Sequence, residues 1–380
     1  MINLYDLSLA ELTDVCAGLG ERPFRARQLY AWLYGKGVNS LDAMTDISEA
    51  SREKIKTIAK ADGLSLTEDM SSADGQTTKY LYELEEGGSY IETVFMKYKD
   101  RNSICISTQA GCRMGCNFCA SGADGLLRNL SPAEMALQVI LSERAADART
   151  KNIVLMGVGE PLDNYENVKK FIENITDDHG RDLSRRAITL STCGLVPGIE
   201  RMAKELPQVN LAVSLHAPND ELRKKIMPVT KKYGVAEVVA ATQKHYEKTR
   251  RRSTFEYALI EGFNDSLEHA KELAALLKGM NCLVNLIPLN SINAAAGTES
   301  SLDLLGSLLN KSPRISRLPA GEHMSADKTG RTLCLAAESF REELGRRHVP
   351  ATVRKSLGED IEAACGQLRL RKTDKKGMRM

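Results

Sequence analysis

Between residues 103 and 354, short runs rich in β-branched residues alternate with amphipathic stretches of helical period, and this alternation restricts the possible folds more than any other feature. Candidate strands fall at 103–108, 153–157, 187–191, 211–215, 254–260 and 283–288, with a further one at 352–354; helical stretches at 132–145, 167–174, 235–246 and 267–277 lie among them. Strand and helix alternating in this way predict an α/β chain built from βα units around a parallel sheet. Parallel βα barrels carry their working residues on the loops that follow the strands. Polar or glycine-rich breaks stand at that end of five of the six: a cysteine-bearing loop after the first, Gly157-Val158-Gly159-Glu160-Pro161 after the second, Ser191-Thr192-Cys193-Gly194 after the third, Ser214-Leu215-His216 after the fourth and Asn290 after the sixth. Any one of these is ordinary turn material or a structural histidine. Their recurrence at one end of the sheet favours a site there.

The first loop holds Cys112, Cys116 and Cys119 at Cys-x3-Cys-x2-Cys spacing, with no fourth cysteine or histidine close behind. Structural zinc prefers four protein ligands. Three thiolates on a 4Fe-4S cubane hold three irons and leave the fourth open to a substrate, which is the condition for chemistry at a metal. This is the cysteine pattern of the radical S-adenosylmethionine (SAM) enzymes; a zinc knuckle or a redox pair stays open on spacing alone. The chain has nine cysteines, three of them clustered, which does not resemble a secreted disulfide framework. No apolar run reaches the roughly 18 residues of a membrane span, and residues 1–6 lack a secretory signal pattern, so a cytoplasmic protein without membrane contact is expected. Net charge is only +2, from 52 basic and 50 acidic residues, but Arg250-Arg251-Arg252, Arg346-Arg347 and the tail from Arg369 form local basic blocks that could track phosphates or merely face solvent.

Residues 1–60 read as helical, with Phe24, Gln28, Leu29, Trp32 and Leu33 at helical spacing beside Arg22, Arg25 and Arg27. A small bundle with its aromatic face inward and an RNA-docking module both fit. Period-two patterning from Lys79 to Lys97 around Glu85-Glu86-Gly87-Gly88 predicts a β-hairpin. Glu92 lies in its second strand, where a single carboxylate usually faces solvent.

Taken together, the chain resembles the radical SAM methyltransferases that modify carbon 2 of one adenine in large-subunit (23S) ribosomal RNA and of adenine 37, beside the anticodon, in some transfer RNAs. The matching stretches include Phe24-Arg25-Ala26-Arg27-Gln28, Ile91-Glu92-Thr93-Val94, Cys105 through Cys119, Met156-Gly157-Val158-Gly159-Glu160-Pro161-Leu162, Ser214-Leu215-His216-Ala217-Pro218-Asn219-Asp220, Asn285-Leu286-Ile287-Pro288-Leu289-Asn290 and Ala363-Ala364-Cys365-Gly366-Gln367-Leu368. The resemblance implies a partial (β/α)6 radical SAM barrel over residues 101–368, an N-terminal helical RNA-docking domain over 1–60, a β-hairpin extension over 61–100 and a basic tail over 369–380. It implies that Cys112, Cys116 and Cys119 bind the cluster, and that Gly159, Glu160, Ser191, Ser214, Leu215, His216 and Asn290 contact SAM. Cys365 would carry the methyl group, Cys105 would be its resolving partner and Glu92 a proton acceptor. Read alone, Cys105 is a buried strand cysteine; Cys16, Cys193, Cys282 and Cys334 are read as core or incidental thiols.

Carbon 2 of adenine lies between two ring nitrogens and is electron-poor, so it does not attack the electrophilic methyl of SAM by displacement. The scheme that the resemblance implies uses two SAM molecules per turnover. The first methylates the Cys365 thiolate, a soft nucleophile; the second is cleaved reductively, and its radical takes hydrogen from the S-methyl group. The methylene radical adds to carbon 2, Glu92 removes the proton there, and Cys105 attacks the Cys365 sulfur to release the base and form a disulfide. Cys105 and Cys365 are 260 positions apart (365 minus 105), yet such a bond needs α-carbons within about 7 Å. The base must also be unstacked and turned into the pocket. Partners implied are 23S rRNA, tRNA and an external one-electron donor of flavodoxin or ferredoxin type, with the enzyme a monomer. Residues 291–333 read as an insertion, and Leu289 stands where the resemblance expects tryptophan. Three alternatives remain open to the sequence: the antibiotic-resistance branch, which methylates carbon 8 of the same ribosomal adenine, a radical SAM enzyme acting on a small molecule or peptide, and a metal-stapled RNA-binding protein without catalysis.

Overall fold

The computed structural model describes residues 1–85, 88–288, 335–354, 357–363, 366–368 and 371–372. Eleven described strands share one sheet. An antiparallel extension comprises β1 (Leu64–Ser71), β2 (Thr77–Leu84) and β3 (Ser89–Lys97). The parallel part follows with β4 (Asn102–Cys105), β5 (Asn152–Leu155), β6 (Ile188–Thr192), β7 (Asn210–Ser214), β8 (Ser253–Leu259), β9 (Cys282–Pro288) and β10 (Ala351–Val353). Their spatial order is β10-β9-β8-β7-β6-β5-β4-β3-β2-β1, and β11 (Arg371–Lys372) pairs antiparallel with β3. The expected partial (β/α)6 barrel is therefore present, with β10 adding a seventh parallel strand.

The central strands bury one face completely: Ile153, Leu155, Ile188, Leu190, Leu211, Val213, Phe255, Tyr257, Val284 and Leu286, at alternate positions, are all at most 1% exposed, while the residues between them in β5, β6 and β9 are half-buried. The crossover helices show why this sequence is helical between strands. The helix Pro132–Ala146 starts with a capping box from Ser131 and Glu134 and has proline in its first turn, where its missing N–H costs nothing. In Tyr165–Ile175 the buried Val168, Phe171, Ile172 and Ile175 recur at i, i+3, i+4 and i+7, the spacing of one helix face.

The N-terminal region forms three helices, Leu9–Gly18, Phe24–Tyr30 and Glu49–Lys56. The aromatic residues divide. Tyr5, Tyr30 and Tyr34 are buried against one another, with ring centroids 5.1 and 4.8 Å apart, and each hydroxyl donates to a backbone carbonyl, that of Tyr30 to Asn174 of the barrel at 3.0 Å. Phe24 instead stays 49% exposed, and the Lys36 ammonium lies 3.2 Å over the Trp32 ring. The hairpin of β2 and β3 has the register Leu81↔Glu92. Its third strand, β1, has only Leu64 buried and carries a bulge between Leu66 and Glu68, features that blunt a sheet edge.

Candidate active site

The loop after β4 is closed as a lobe by two short antiparallel strands, Gln109–Gly111 and Leu126–Asn129. Gly111 has φ +78, and a Cβ there would lie 2.0 Å from the Gly125 carbonyl oxygen, so only glycine permits the lobe to shut. Asn117 pins its far side: its N–H donates to Ile226 carbonyl at 3.0 Å and its side-chain amide to Lys225 carbonyl at 2.7 Å. Cys112, Cys116 and Cys119 thereby line one wall of an open cavity at the carboxyl ends of the parallel strands.

Burial raises the Cys112 thiol to about 12, and burial with the neighbouring Cys119 pushes Cys116 higher still. Such thiols release their protons only against a bound cation. Their spacing discriminates between candidates. Zinc thiolates at about 2.3 Å from the ion stand about 3.8 Å apart. Among the described residues, however, the only trio of Cys, His, Asp and Glu donors within 4.8 Å of one another is the surface group Asp177, Asp178 and His179. At least one pair among Cys112, Cys116 and Cys119 is thus more than 4.8 Å apart, wider than the sulfur spacing about one zinc. That spread, on one wall of one cavity, fits a cluster in which each sulfur has its own iron.

The remaining walls come from the loops after the next strands. Gly157 and Gly159 pack on the chain leaving β4: a Cβ at Gly157 would meet the Ile106 carbonyl at 2.7 Å, and at Gly159 (φ +110) the Gln109 Cβ at 2.6 Å. This close fit places Glu160, 3% exposed, in the cavity wall. Its carboxylate accepts the Cys193 N–H at 2.7 Å and the Leu162 N–H at 3.0 Å, while burial raises its pKa. A buried carboxylate so oriented suits an amine. Gly159→Ala is expected to cost about 2–4 kcal/mol through left-handed strain and overpacking and to weaken SAM binding; thermal denaturation and calorimetric titration of the variant check both.

Ser191 and Ser214 line the cavity from the ends of β6 and β7. His216 follows at φ +57; its Nδ1 accepts the Ala258 N–H at 2.9 Å, which leaves the proton on Nε2. Burial, with the Arg223 charge nearby, lowers its pKa to about 3, so the ring stays neutral. Leu215 does not line the cavity: its side chain is fully buried, its N–H donates to the Glu256 carbonyl at 3.0 Å and its carbonyl accepts from Arg223 Nε at 2.9 Å.

Arg223 itself is 0% exposed. It donates to the carbonyls of Leu215, Ser214, Cys193 and Tyr233 and to the Thr230 hydroxyl, at 2.6–3.4 Å, tying three loops of the site together. Sequence reading overlooks it, because Asp220-Glu221-Leu222-Arg223-Lys224-Lys225 reads as a solvated charge run. Glu256 is missed for the same lack of local signal; it lines the cavity 5% exposed, held by the Asn285 amide at 3.1 Å.

Glu92, Val94 and Cys105 share one face of the extension, since Val94 pairs with Cys105 and Glu92 lies two residues along the same strand. Glu92 is not solvent-facing. It is 1% exposed, its carboxylate 3.3 Å from the Lys79 ammonium, and it does not line the main cavity. Cys105 belongs to an apolar cluster with Val94, Val158, Ala363 and Leu368. Gly366 lines the main cavity, its carbonyl accepting the Ala120 N–H at 2.8 Å, and the Leu368 carbonyl accepts the Ser121 hydroxyl at 2.7 Å. Asn290 and Cys365 lie outside the described residues, as do Cys334 and the whole 291–333 stretch.

A barrel of this topology, with three cysteines on its first loop and a Gly-Glu-Pro turn on its second, is that of the radical SAM enzymes; residues 106–275 match the model of the Radical SAM superfamily. Residues 2–61 match the model described as ribosomal RNA large subunit methyltransferase N-terminal domain. Curated relatives each named "Probable dual-specificity RNA methyltransferase RlmN" are 43% identical in Desulforamulus reducens, over 97% of this chain and 96% of theirs, and 44% identical in Thermoanaerobacter sp., over 97% and 98%. The crystal structure of a radical SAM methyltransferase from Sphaerobacter thermophilus superposes with a TM-score of 0.84 at 41% identity, over 97% of this chain and 99% of that one. The chain belongs to the RlmN family of radical SAM RNA methyltransferases. No helix among the described residues is long and apolar enough to cross a membrane.

Proposed function

We propose that this enzyme methylates carbon 2 of a specific adenine in the peptidyl-transferase centre of 23S rRNA and of adenine 37 in a subset of tRNAs, spending two SAM per turnover through an S-methylcysteine and a covalent protein–RNA adduct. The observation that carries this reading is that both flanks of Cys365 converge on the site. Ala363 and Leu368 pack with Cys105, while Gly366 and Leu368 are bonded to the residues that follow Cys119.

Cys112, Cys116 and Cys119 would hold the 4Fe-4S cluster, and Glu160, with Gly159, Ser191, Ser214, His216 and Asn290, would seat SAM. When bound, the cluster supplies the electron that cleaves SAM reductively. Glu160 offers its carboxylate to the amine of SAM, and neutral His216 offers Nε2–H without adding a second positive charge beside the sulfonium. Cys365 takes a methyl group as thiolate, and hydrogen abstraction leaves a methylene radical that forms a bond to carbon 2. The carbon-2 proton then leaves the adduct to Glu92, and the one electron released with it would return to the cluster, which gave one up in cleaving SAM. The Cys105 thiolate attacks the Cys365 sulfur, the sulfur–carbon bond breaks, and its electron pair stays on the methylene carbon, which is protonated to methyl. The disulfide left behind is reopened by an external thiol. We further assign RNA docking to the N-terminal helices, where exposed Phe24 and the Trp32–Lys36 pair offer stacking and charge together. The electron donor is of flavodoxin or ferredoxin type and the enzyme a cytoplasmic monomer.

Chromatography and mass spectrometry of nucleosides from RNA of cells with and without this gene test the reading: 2-methyladenosine should vanish without it. If 8-methyladenosine alone changes, the enzyme belongs to the carbon-8 branch. Cys105→Ala is expected to accumulate RNA crosslinked to protein on a denaturing gel, with release of methylated base reduced at least about 100-fold.

A further inference from the structure

The stretch preceding Cys365 is seated on the hairpin extension. The Asp360 carboxylate accepts the Ala73 N–H at 2.8 Å. Gly358, at φ +68, fits over β2 so closely that a Cβ there would lie 2.8 Å from Thr77 Cγ2. The Glu362 carbonyl accepts the Lys79 ammonium at 3.2 Å, and the same ammonium lies 3.3 Å from the Glu92 carboxylate. Lys79 is 2% exposed, and lysine is rarely buried so completely. Removing an ammonium from water costs several kcal/mol unless a carboxylate and further acceptors surround it. Its position on β2 pairs with Val94, and Val94 pairs with Cys105. One cation thus touches the proton acceptor assigned above and the main chain three residues before the methyl carrier, from a strand whose neighbour pairs with the resolving cysteine.

We propose that Lys79 is a positioning residue that aims the Glu92 carboxylate and ties it to the main chain that leads to Cys365. The inference rests on the roles given above to Cys365, Cys105 and Glu92. The ammonium spans the Glu92 carboxylate and the Glu362 carbonyl, so the carboxylate is aimed from the same point that anchors the main chain three residues before Cys365. Without the cation, the carboxylate loses the contact that aims it.

The test uses reconstituted holoenzyme and an RNA fragment bearing the target adenine, counting three products per chain: 5′-deoxyadenosine, RNA crosslinked to protein, and released methyladenosine. Lys79→Met is expected to cleave SAM and form the crosslink but to release methyladenosine about 10- to 100-fold more slowly, since a misaimed group costs this much. Lys79→Arg keeps the cation and its donors, so it should recover a larger share of the release than Lys79→Met. A wild-type ratio of product to crosslink in Lys79→Met overturns the proposal, and so does equal impairment of the Met and Arg variants. Should Lys79→Met lose its iron, Lys79→Gln carries the same comparison; loss of iron in both makes Lys79 a folding residue and also refutes the proposal. If Cys105→Ala with normal SAM cleavage yields no crosslink, the underlying assignment has failed and Lys79 is not at issue.

Discussion

Replacing Cys365 with alanine is expected to abolish RNA methylation, by about 10³-fold or more as for other lost covalent nucleophiles, while reductive cleavage of SAM continues. The two activities separate because they use different parts of the molecule. The wall holding Cys112, Cys116 and Cys119 and the Glu160 loop are built from residues 109–164, and the Glu160 carboxylate accepts the Leu162 and Cys193 N–H groups. Counting 5′-deoxyadenosine and methyladenosine in the same reaction checks this. Methylation that survives in the variant would remove Cys365 from its assigned role.

Cys116→Ala should have the opposite signature. Iron content, the visible absorbance of the cluster and SAM cleavage all disappear, the last by about 10³-fold or more, since two sulfurs on one wall cannot hold three irons. Folding should persist. Cys116 packs with Met114, Phe118, Ile226 and Met227, an apolar neighbourhood in which a lost sulfur costs about 1–2 kcal/mol. An iron count, circular dichroism and the 5′-deoxyadenosine assay suffice, and a variant that retains iron and cleavage would show that this loop is not the cradle.

The barrel was legible in the sequence because its strands need short apolar, β-branched runs, and they lie within a residue or two of where that patterning puts them, except that the first ends at Cys105, three residues short of the expected 108. Strand β1 was not legible. Seven of its eight residues are exposed, so Leu64–Ser71 carries no alternation to detect. Arg223 was hidden for the converse reason: its partners are four carbonyls and a hydroxyl supplied by the folded loops, and a carbonyl leaves no trace in residue identity. Glu92 is intermediate. Its place among Ile91, Thr93, Val94 and Phe95 hinted at burial, but the cation that makes burial tolerable is thirteen positions away (92 minus 79), across a turn.

The pairing of Arg371 with Tyr90 joins positions 281 residues apart (371 minus 90), among the largest loop closures the chain makes. Contacts of such long range form late, after local ones have already shaped the barrel. A folding molecule therefore passes through a stage in which the wall bearing Cys112, Cys116 and Cys119 has formed while the strand of Arg371 and Lys372 has yet to be zipped onto the sheet.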